Sequence, residues 1–123
     1  MGIITIDLRS RKLIYEQIVE NVKEQIVREV ICENDYMPSV RALANELGIN
    51  PNTIQKAYGE LERQGIIHSV AGRGCIVVAN ADTVRGMLHD KLAAHIGEIA
   101  EEAKNAGMTY EEFCEAAKSC FED

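Results

Sequence analysis

Three stretches in the first half of the chain carry apolar residues at helical spacing. In the longest of them, apolar residues recur at every fourth position: Ile14, Ile18, Val22, Ile26 and Val30. This period predicts an amphipathic helix that begins near Leu13 and ends near Cys32. The β-branched run at 3–7 before it predicts either an edge strand or an extended arm.

Two shorter helices are predicted next, because residues that begin and end helices follow one another closely. Ser39 is typical of an N-cap and Gly48 of a left-handed helix end, so these two residues bracket a second helix. Asn50 as the cap and Pro51 at the first helical position begin a third helix, which ends at Gly65. The apolar stripe that we expect this third helix to bury is Ile54, Ala57, Tyr58 and Leu61.

After Gly65 the apolar period changes from helical to extended. The runs at 66–70 and 75–78 predict two short β-strands. Gly72 and Gly74, in the turn between them, predict that the two strands form a hairpin. The order of helix, helix, tight turn, helix and hairpin is that of a winged helix-turn-helix.

Two more helices are predicted in the last third of the chain. Asp82 is expected to cap the fourth helix, and Thr109 with Glu112 has the pattern of a capping box for the fifth. The apolar seam of the fourth helix contains Val84, Leu88, Leu92, Ile96, Ile99 and Ala103. The inward face expected for the fifth helix contains Tyr110, Phe113, Cys114, Ala117 and Phe121.

This tail presents more apolar surface than two helices can bury against each other. It therefore predicts a homodimer formed by pairing of the tails. The predicted interface residues are Leu88, Leu92, Ile96, Ile99, Tyr110, Phe113 and Phe121. We expect a mostly α-helical fold with a small β-hairpin, divided into a winged helix-turn-helix domain at 1–79 and a helical dimerisation tail at 80–123.

Charge is unevenly distributed along the chain, whose formal net charge is −7. Residues 1–80 hold nine Lys and Arg against ten Asp and Glu, whereas residues 81–123 hold four against ten. The acidity therefore belongs to the tail. The first part of the chain is nearly neutral, which leaves room for a local basic face.

Several classes of protein are disfavoured by the sequence. No run approaches the roughly 18 apolar residues of a membrane helix, and the N-terminus lacks the basic start and apolar stretch of a secretion signal, so we expect a cytoplasmic protein with no membrane partner. No nucleophile elbow, phosphate loop or zinc-protease motif is present, so we expect neither an enzyme nor a cofactor. The six-residue spacings of Cys114 with Cys120 and of His89 with His95 argue against a metal site.

The outward face of the third helix carries residue types that bind nucleic acid. With the apolar stripe turned inward, this face contains Asn52, Gln55, Lys56 and Gly59. Asn and Gln can form paired hydrogen bonds to adenine, and Lys can reach guanine or a phosphate. Arg73, between two glycines, suits a minor groove or a phosphate.

A family resemblance supports this interpretation. The segment MPSVRALANELGINPNTIQKAYGELERQGII, followed by GRG, resembles the DNA-binding domain of GntR-family transcription regulators. The likeness covers about residues 13–78. Glu29 and Asn34 stand near places where members of that family usually carry glycine. The short tail resembles that of the YtrA-like subgroup, in which the tail forms the dimer interface.

The resemblance implies a site and a function. Arg41 would contact a base or a phosphate, and Gly72 and Arg73 would form the tip of the wing. The residues expected to bind DNA are Ser39, Arg41, Asn50, Asn52, Thr53, Gln55, Lys56, Gly72, Arg73 and Gly74. The implied function is a sequence-specific transcription regulator, with repression favoured, that binds a pseudo-palindromic double-stranded DNA operator as a homodimer and controls a transporter operon.

Some alternatives stay open from the sequence. Arg41 either contacts DNA or pairs with Glu46 on its own helix, and Tyr58 either belongs to the core or reaches a phosphate. A basic cluster before the first helix is either a solvated loop or an auxiliary phosphate contact: Arg9, Arg11 and Lys12. The competing function is a winged helix that binds protein without binding DNA. Neither the operator nor a small-molecule effector is identified.

Overall fold

The structure is a computed structural model that describes residues 4–122, and this part of the chain contains five α-helices and one two-stranded antiparallel sheet. The elements in chain order are α1 (Ile14–Val27), α2 (Val40–Leu47), α3 (Pro51–Arg63), β1 (Ile67–Val70), β2 (Gly74–Val77), α4 (Ala81–Asn105) and α5 (Tyr110–Phe121). This order confirms the predicted fold class of a winged helix followed by a helical region. The contacts within the chain define two compact units, and the first ends at Gly86, within α4. The domain boundary between residues 79 and 80 stays a prediction.

The first helix ends earlier than its apolar period predicts. α1 stops at Val27 rather than near Cys32, because Glu29 adopts a left-handed backbone with φ of 59°. This change of direction turns Val30 outward, where it is 51% exposed, and brings the next residue, Ile31, fully into the core. The prediction that Val30 continues the buried stripe is therefore wrong.

The loop after α1 pairs with the outer edge of β2. The backbone N–H of Asn34 donates to the carbonyl of Val77 at 2.8 Å, and the N–H of Met37 donates to the carbonyl of Cys75 at 2.8 Å. An isolated bridge joins Tyr36 to Ile76. This pairing covers one edge of the small sheet, and nothing in the local sequence pattern predicts it.

The segment before α1 has no regular secondary structure over 4–7, so these residues form no edge strand. Ile4 is nevertheless buried, at 3% exposure. Ile3, which the predicted strand or arm also included, lies outside the described residues.

The two short helices have the predicted ends. The hydroxyl oxygen of Ser39 accepts a hydrogen bond from the N–H of Ala42 at 3.0 Å, and Gly48 ends α2 with φ of 68°. Asn50 caps α3, because its side-chain oxygen accepts from the N–H of Asn52 at 2.8 Å. These local interactions fix the tight turn between α2 and α3.

Packing of α3 determines which of its faces is exposed. The predicted stripe is buried in full: Ile54, Ala57, Tyr58 and Leu61. It packs against α1, α2 and β1. The hydroxyl of Tyr58 donates to the carbonyl of Pro38 at 2.7 Å, and burial raises the pKa of Tyr58 far above its usual range. Tyr58 is therefore a core residue, and its hydroxyl ties α3 to the start of α2.

A polar network joins the end of α3 to α1. Arg63 and Gln64 both donate to the carboxylate of Glu60, and Gln64 accepts a hydrogen bond from the ammonium of Lys23 on α1 at 2.7 Å. The hydrogen bond from Arg63, and after it the one from Gln64, lowers the pKa of Glu60 to about 2. The carboxylate is thus held charged at the point where α3 ends.

The hairpin follows with the register Ile67 opposite Val77 and Val70 opposite Gly74. Gly72 and Gly74 both have positive φ, at 74° and 93°. This left-handed geometry is cheap only for glycine, and it allows the turn to present Arg73 at its tip.

The start of α4 differs from the prediction. Asn80, rather than Asp82, supplies the cap, since its side-chain oxygen accepts from the N–H of Thr83 at 2.9 Å. Asp82 lies one position inside the helix and pairs with Arg85 at 2.6 Å. The capping box at the start of α5 is confirmed, with reciprocal hydrogen bonds between Thr109 and Glu112.

The second unit contains an apolar groove between α4 and α5, with a volume of about 680 Å³. From α5 it is lined by Phe113, Ala116, Ala117 and Cys120. Tyr110 and Phe121 are instead 78% and 93% exposed. The predicted inward face of α5 is therefore right for Phe113 and Ala117. It is wrong for Tyr110 and Phe121 at its two ends, and for Cys114, which is exposed and does not line the groove.

The two glycines Gly48 and Gly59 test how much of this fold depends on backbone conformation. A Cβ at either position would meet no atom within 4 Å, but only Gly48 has a left-handed backbone. We expect Gly48→Ala to lower the free energy of unfolding by about 1–2 kcal/mol. Gly59→Ala, in the middle of α3, should raise it by about 0.5–1 kcal/mol. Urea unfolding of both variants measures their free energies of unfolding. A similar decrease for both variants would contradict the expected difference.

The network at the end of α3 predicts a pH dependence. Because the folded pKa of Glu60 lies near 2, below its ordinary 4.5, its contribution to stability is present above pH 4.5 and is lost as the pH falls through 2. Carbon-detected NMR of the side-chain carboxyl should show a midpoint near 2. Arg63→Met should raise that midpoint. A wild-type midpoint near 4.5 would contradict the network.

Candidate nucleic-acid interface

The outward face of α3 carries polar side chains whose hydrogen-bonding groups are unused within the chain. Asn52, Gln55 and Lys56 are all exposed, as is Gly59 one turn further on. Within residues 4–122, the side-chain amides of Asn52 and Gln55 make no hydrogen bond. Both amides therefore keep their donors and acceptors available to a partner outside the chain.

Asn50 and Thr53 have structural tasks at the start of this helix. The side-chain oxygen of Asn50 caps the helix, and its backbone carbonyl accepts from the N–H of Thr53 at 3.0 Å. The side-chain NH₂ of Asn50 makes no hydrogen bond among residues 4–122, so it can donate to another molecule. Thr53 is half-buried. These residues lie where the helix dipole is positive, which favours a nearby anion.

Arg41 lies on α2 with its side chain exposed. Among the described residues it forms no ion pair and no side-chain hydrogen bond, so the alternative pairing with Glu46 is not formed. Ser39, just before this helix, uses its hydroxyl oxygen as the cap but keeps the hydroxyl proton to donate.

The hairpin turn presents Arg73, a third basic side chain besides Lys56 and Arg41. Gly72, Arg73 and Gly74 are all exposed. The backbone N–H of Arg73 closes the turn by donating to the carbonyl of Val70 at 2.9 Å. Its guanidinium has no carboxylate partner in the part of the chain that the structure describes. The turn therefore displays an unneutralised cation on a backbone without neighbouring side chains.

Four of the predicted residues line one hollow of about 440 Å³ at the start of α3: Asn50, Asn52, Thr53 and Lys56. The opposite wall of this hollow consists of Leu13, Ile14 and Tyr15, from the start of α1. The ammonium nitrogen of Lys56 lies over the ring of Tyr15, 4.2 Å from its centroid. The other predicted residues do not line this hollow.

Tyr15 is the residue at this site that sequence reasoning missed. It stands beside Ile14 of the apolar stripe, which makes it look like an ordinary helix residue. The contact with Lys56 joins positions 41 apart, so no local spacing rule reveals it.

The basic cluster before α1 is partly neutralised. Lys12 pairs with Glu20 at 2.6 Å. The side chains of Arg9 and Arg11 are exposed and have no carboxylate partner among residues 4–122. Two of the three basic side chains in this cluster are thus available to contact a phosphate.

Other chemistry is sparse in the described part of the chain. Residues 4–122 hold no group of three or more His, Cys, Asp or Glu placed to bind a metal ion. Cys32, Cys114 and Cys120 are free and exposed, and Cys75 is free and half-buried. None of the helices in this range is both long and apolar enough to span a bilayer.

Comparison with known proteins agrees with this geometry. Residues 14–77 match the family described as "Bacterial regulatory proteins, gntR family". Over 122 residues, the chain is 39% identical to the HTH-type transcriptional repressor YtrA of Bacillus subtilis (strain 168), which covers 98% of this chain and 93% of that relative.

Two solved structures share the fold. A GntR family transcriptional regulator from Listeria monocytogenes is 32% identical with a TM-score of 0.77, over 93% of this chain and 98% of that one. AraR(DBD) in complex with operator ORX1 is 29% identical with a TM-score of 0.52, over 60% of this chain and 92% of that one. With more than half of its length matched by the family and a relative similar along almost all of it, the chain belongs to the GntR family of DNA-binding bacterial transcription regulators.

Proposed function

We propose that the protein is a repressor that binds a pseudo-palindromic operator as a homodimer, with one α3 helix in the major groove of each half-site. The observation that carries this proposal is the exposed polar face of α3, whose amide groups have no partner among residues 4–122. A major groove about 12 Å wide admits a helix and displays the base edges that such groups read. In a dimer, the two helices would enter successive major grooves.

Gly59 supports the insertion of α3 into a groove. A glycine inside a helix costs about 1 kcal/mol relative to alanine. Apart from its chain neighbours and the nearby backbone of its own helix, no atom of the described residues lies within 4 Å of a Cβ built there, so internal packing gives no reason for the missing side chain. Close approach of an external surface, such as the wall of a DNA groove, would explain why this position has no side chain.

Flanking groups would fix α3 in the groove. Arg41 on α2 would contact a base or a phosphate, and Arg73 at the tip of the hairpin would enter the minor groove or contact the backbone. Both guanidinium groups lack a carboxylate partner in the described range, so neither has to break an ion pair to bind DNA. The ten residues predicted from the sequence to contact DNA form the proposed interface.

The acidic net charge is compatible with DNA binding because of where it lies. Residues 1–80 differ by one charge from neutrality, and the remaining excess belongs to residues 81–123. A nearly neutral domain with exposed unpaired cations can form a local positive face.

Pairing of tails would supply the dimer. Leu92, Ile96 and Ile99 on α4 are 54–56% exposed, and the groove beside them is apolar. Monomeric proteins rarely expose contiguous apolar patches of this kind, and a second copy of the tail has the matching chemistry. Residues 88, 92, 96, 99, 110, 113 and 121 are the proposed interface.

Similarity to known proteins supports repression and the choice of target. The relative that is similar along almost the whole chain is named as a transcriptional repressor. The resemblance to the short YtrA-like subgroup supports control of a transporter operon. Selection of bound fragments from genomic DNA with the purified protein would identify the operator.

The selected operator then provides a test of the interface. Arg41→Ala and Gln55→Ala should each weaken binding by about 1–3 kcal/mol if the replaced side chain reads a base, because each variant then loses a hydrogen-bonding contact to that base. Fluorescence anisotropy at fixed salt measures the affinity. Arg28→Ala removes an exposed arginine outside the proposed interface and is the matched control. Unchanged affinity in both interface variants would refute their assigned roles.

The dimer is tested by placing a charge in the seam of α4. Ile96→Asp should convert the protein from dimer to monomer, because an unpaired carboxylate cannot be buried without a large desolvation cost. Ala94→Asp introduces the same residue about 200° away around the helix and should leave the dimer intact. Sedimentation equilibrium distinguishes the species. A wild-type monomer at micromolar concentration would contradict the proposed pairing.

A further inference from the structure

We propose that Tyr15 is a positioning residue for DNA binding, because its ring holds the ammonium group of Lys56 in place on the exposed face of α3. The proposal rests on the proposed DNA-binding function of α3. It adds a residue from α1 that lies outside the predicted interface and acts through Lys56.

The contact has the geometry of a cation–π interaction. The ammonium nitrogen lies 4.2 Å from the centroid of the ring, well within the roughly 6 Å over which a ring quadrupole attracts a cation. Packing of α1 against α3 brings the two residues together across 41 positions of sequence.

The ring restrains Lys56 without neutralising it. Two other basic side chains of the first unit are instead bound to carboxylates, which neutralise their charge and occupy N–H donors: Lys12 with Glu20 and Arg63 with Glu60. Lys56 forms no such ion pair among residues 4–122. Because the ring is uncharged, the ammonium keeps its full charge and its donors for a phosphate or a guanine.

The restraint matters because lysine has a long and flexible side chain. A free lysine loses rotamer freedom when it binds, which weakens the net interaction. A ring that has already limited this freedom reduces the loss on binding. The hollow that Tyr15 and Lys56 share also contains Asn50, Asn52 and Thr53, so the ammonium is held beside the start of α3.

The contact itself can be observed without DNA. The ε-methylene protons of Lys56 should be shifted upfield by the ring current of Tyr15 in carbon–proton correlation spectra. Tyr15→Phe keeps the ring and should keep this shift, whereas Tyr15→Leu should abolish it. An unshifted Lys56 in the wild-type protein would overturn the proposal.

Operator affinity then tests the functional role. Tyr15→Leu should weaken binding about threefold to tenfold, and Tyr15→Phe should bind as the wild type does. Lys56→Met should weaken binding at least as much as Tyr15→Leu. Adding Tyr15→Leu to Lys56→Met should cause no further loss, because Tyr15 acts through the lysine. Lys104→Met, which removes one exposed cation from the tail, is the charge control.

The outcomes separate a positioning role from other roles. If Tyr15→Leu also lowers operator affinity in the Lys56→Met background, the effect of Tyr15 is due to packing. If Tyr15→Phe lowers the affinity as much as Tyr15→Leu does, the effect is due to the hydroxyl. Either result overturns the proposal. Normal binding by Tyr15→Leu overturns the positioning role alone, whereas a wild-type protein that binds no genomic fragment overturns the DNA-binding proposal as well.

Discussion

Burial of one stripe on α3 is the constraint on which the rest of the structure depends. Ile54, Ala57 and Leu61 are completely excluded from solvent, and Tyr58 beside them donates its hydroxyl proton to the carbonyl of Pro38. A helix has only one way to bury such a stripe, so the opposite face is fixed outward. The rotation of α3, the position of α2 and the exposure of the proposed DNA-contacting residues all follow from this packing.

The elements that sequence reasoning predicted correctly are those determined by near neighbours. Ser39, Asn50 and Thr109 cap their helices with hydrogen bonds that span only two or three residues. The buried stripe of α3 is likewise set by a period that is visible in the sequence. For the same reason, the sequence alone predicts that the candidate site lies on α3.

Several of the errors arise where distant contacts or backbone strain override the local pattern. The cap of α4 is a local error instead, because the hydrogen bond from Thr83 to Asn80 spans only three residues. The apolar period of α1 continues through Val30, but the left-handed backbone at Glu29 moves Ile31 into the core in its place. Such a conformation is unfavourable for a residue with a side chain, and the burial of Ile26 before it and of Ile31 after it must compensate for it. The bridge from Tyr36 to Ile76 and the contact of Tyr15 with Lys56 also depend on tertiary packing that no single segment encodes.

The central claim, that the outward face of α3 binds DNA, is tested most directly by amide NMR spectra of the protein titrated with its selected operator. Binding should shift or broaden the signals of Asn52, Gln55 and Lys56 and of the hairpin tip at Arg73, while the buried end of α1 changes little. Perturbation confined to residues 87–122, with the signals of α3 unchanged at saturation, would contradict the claim.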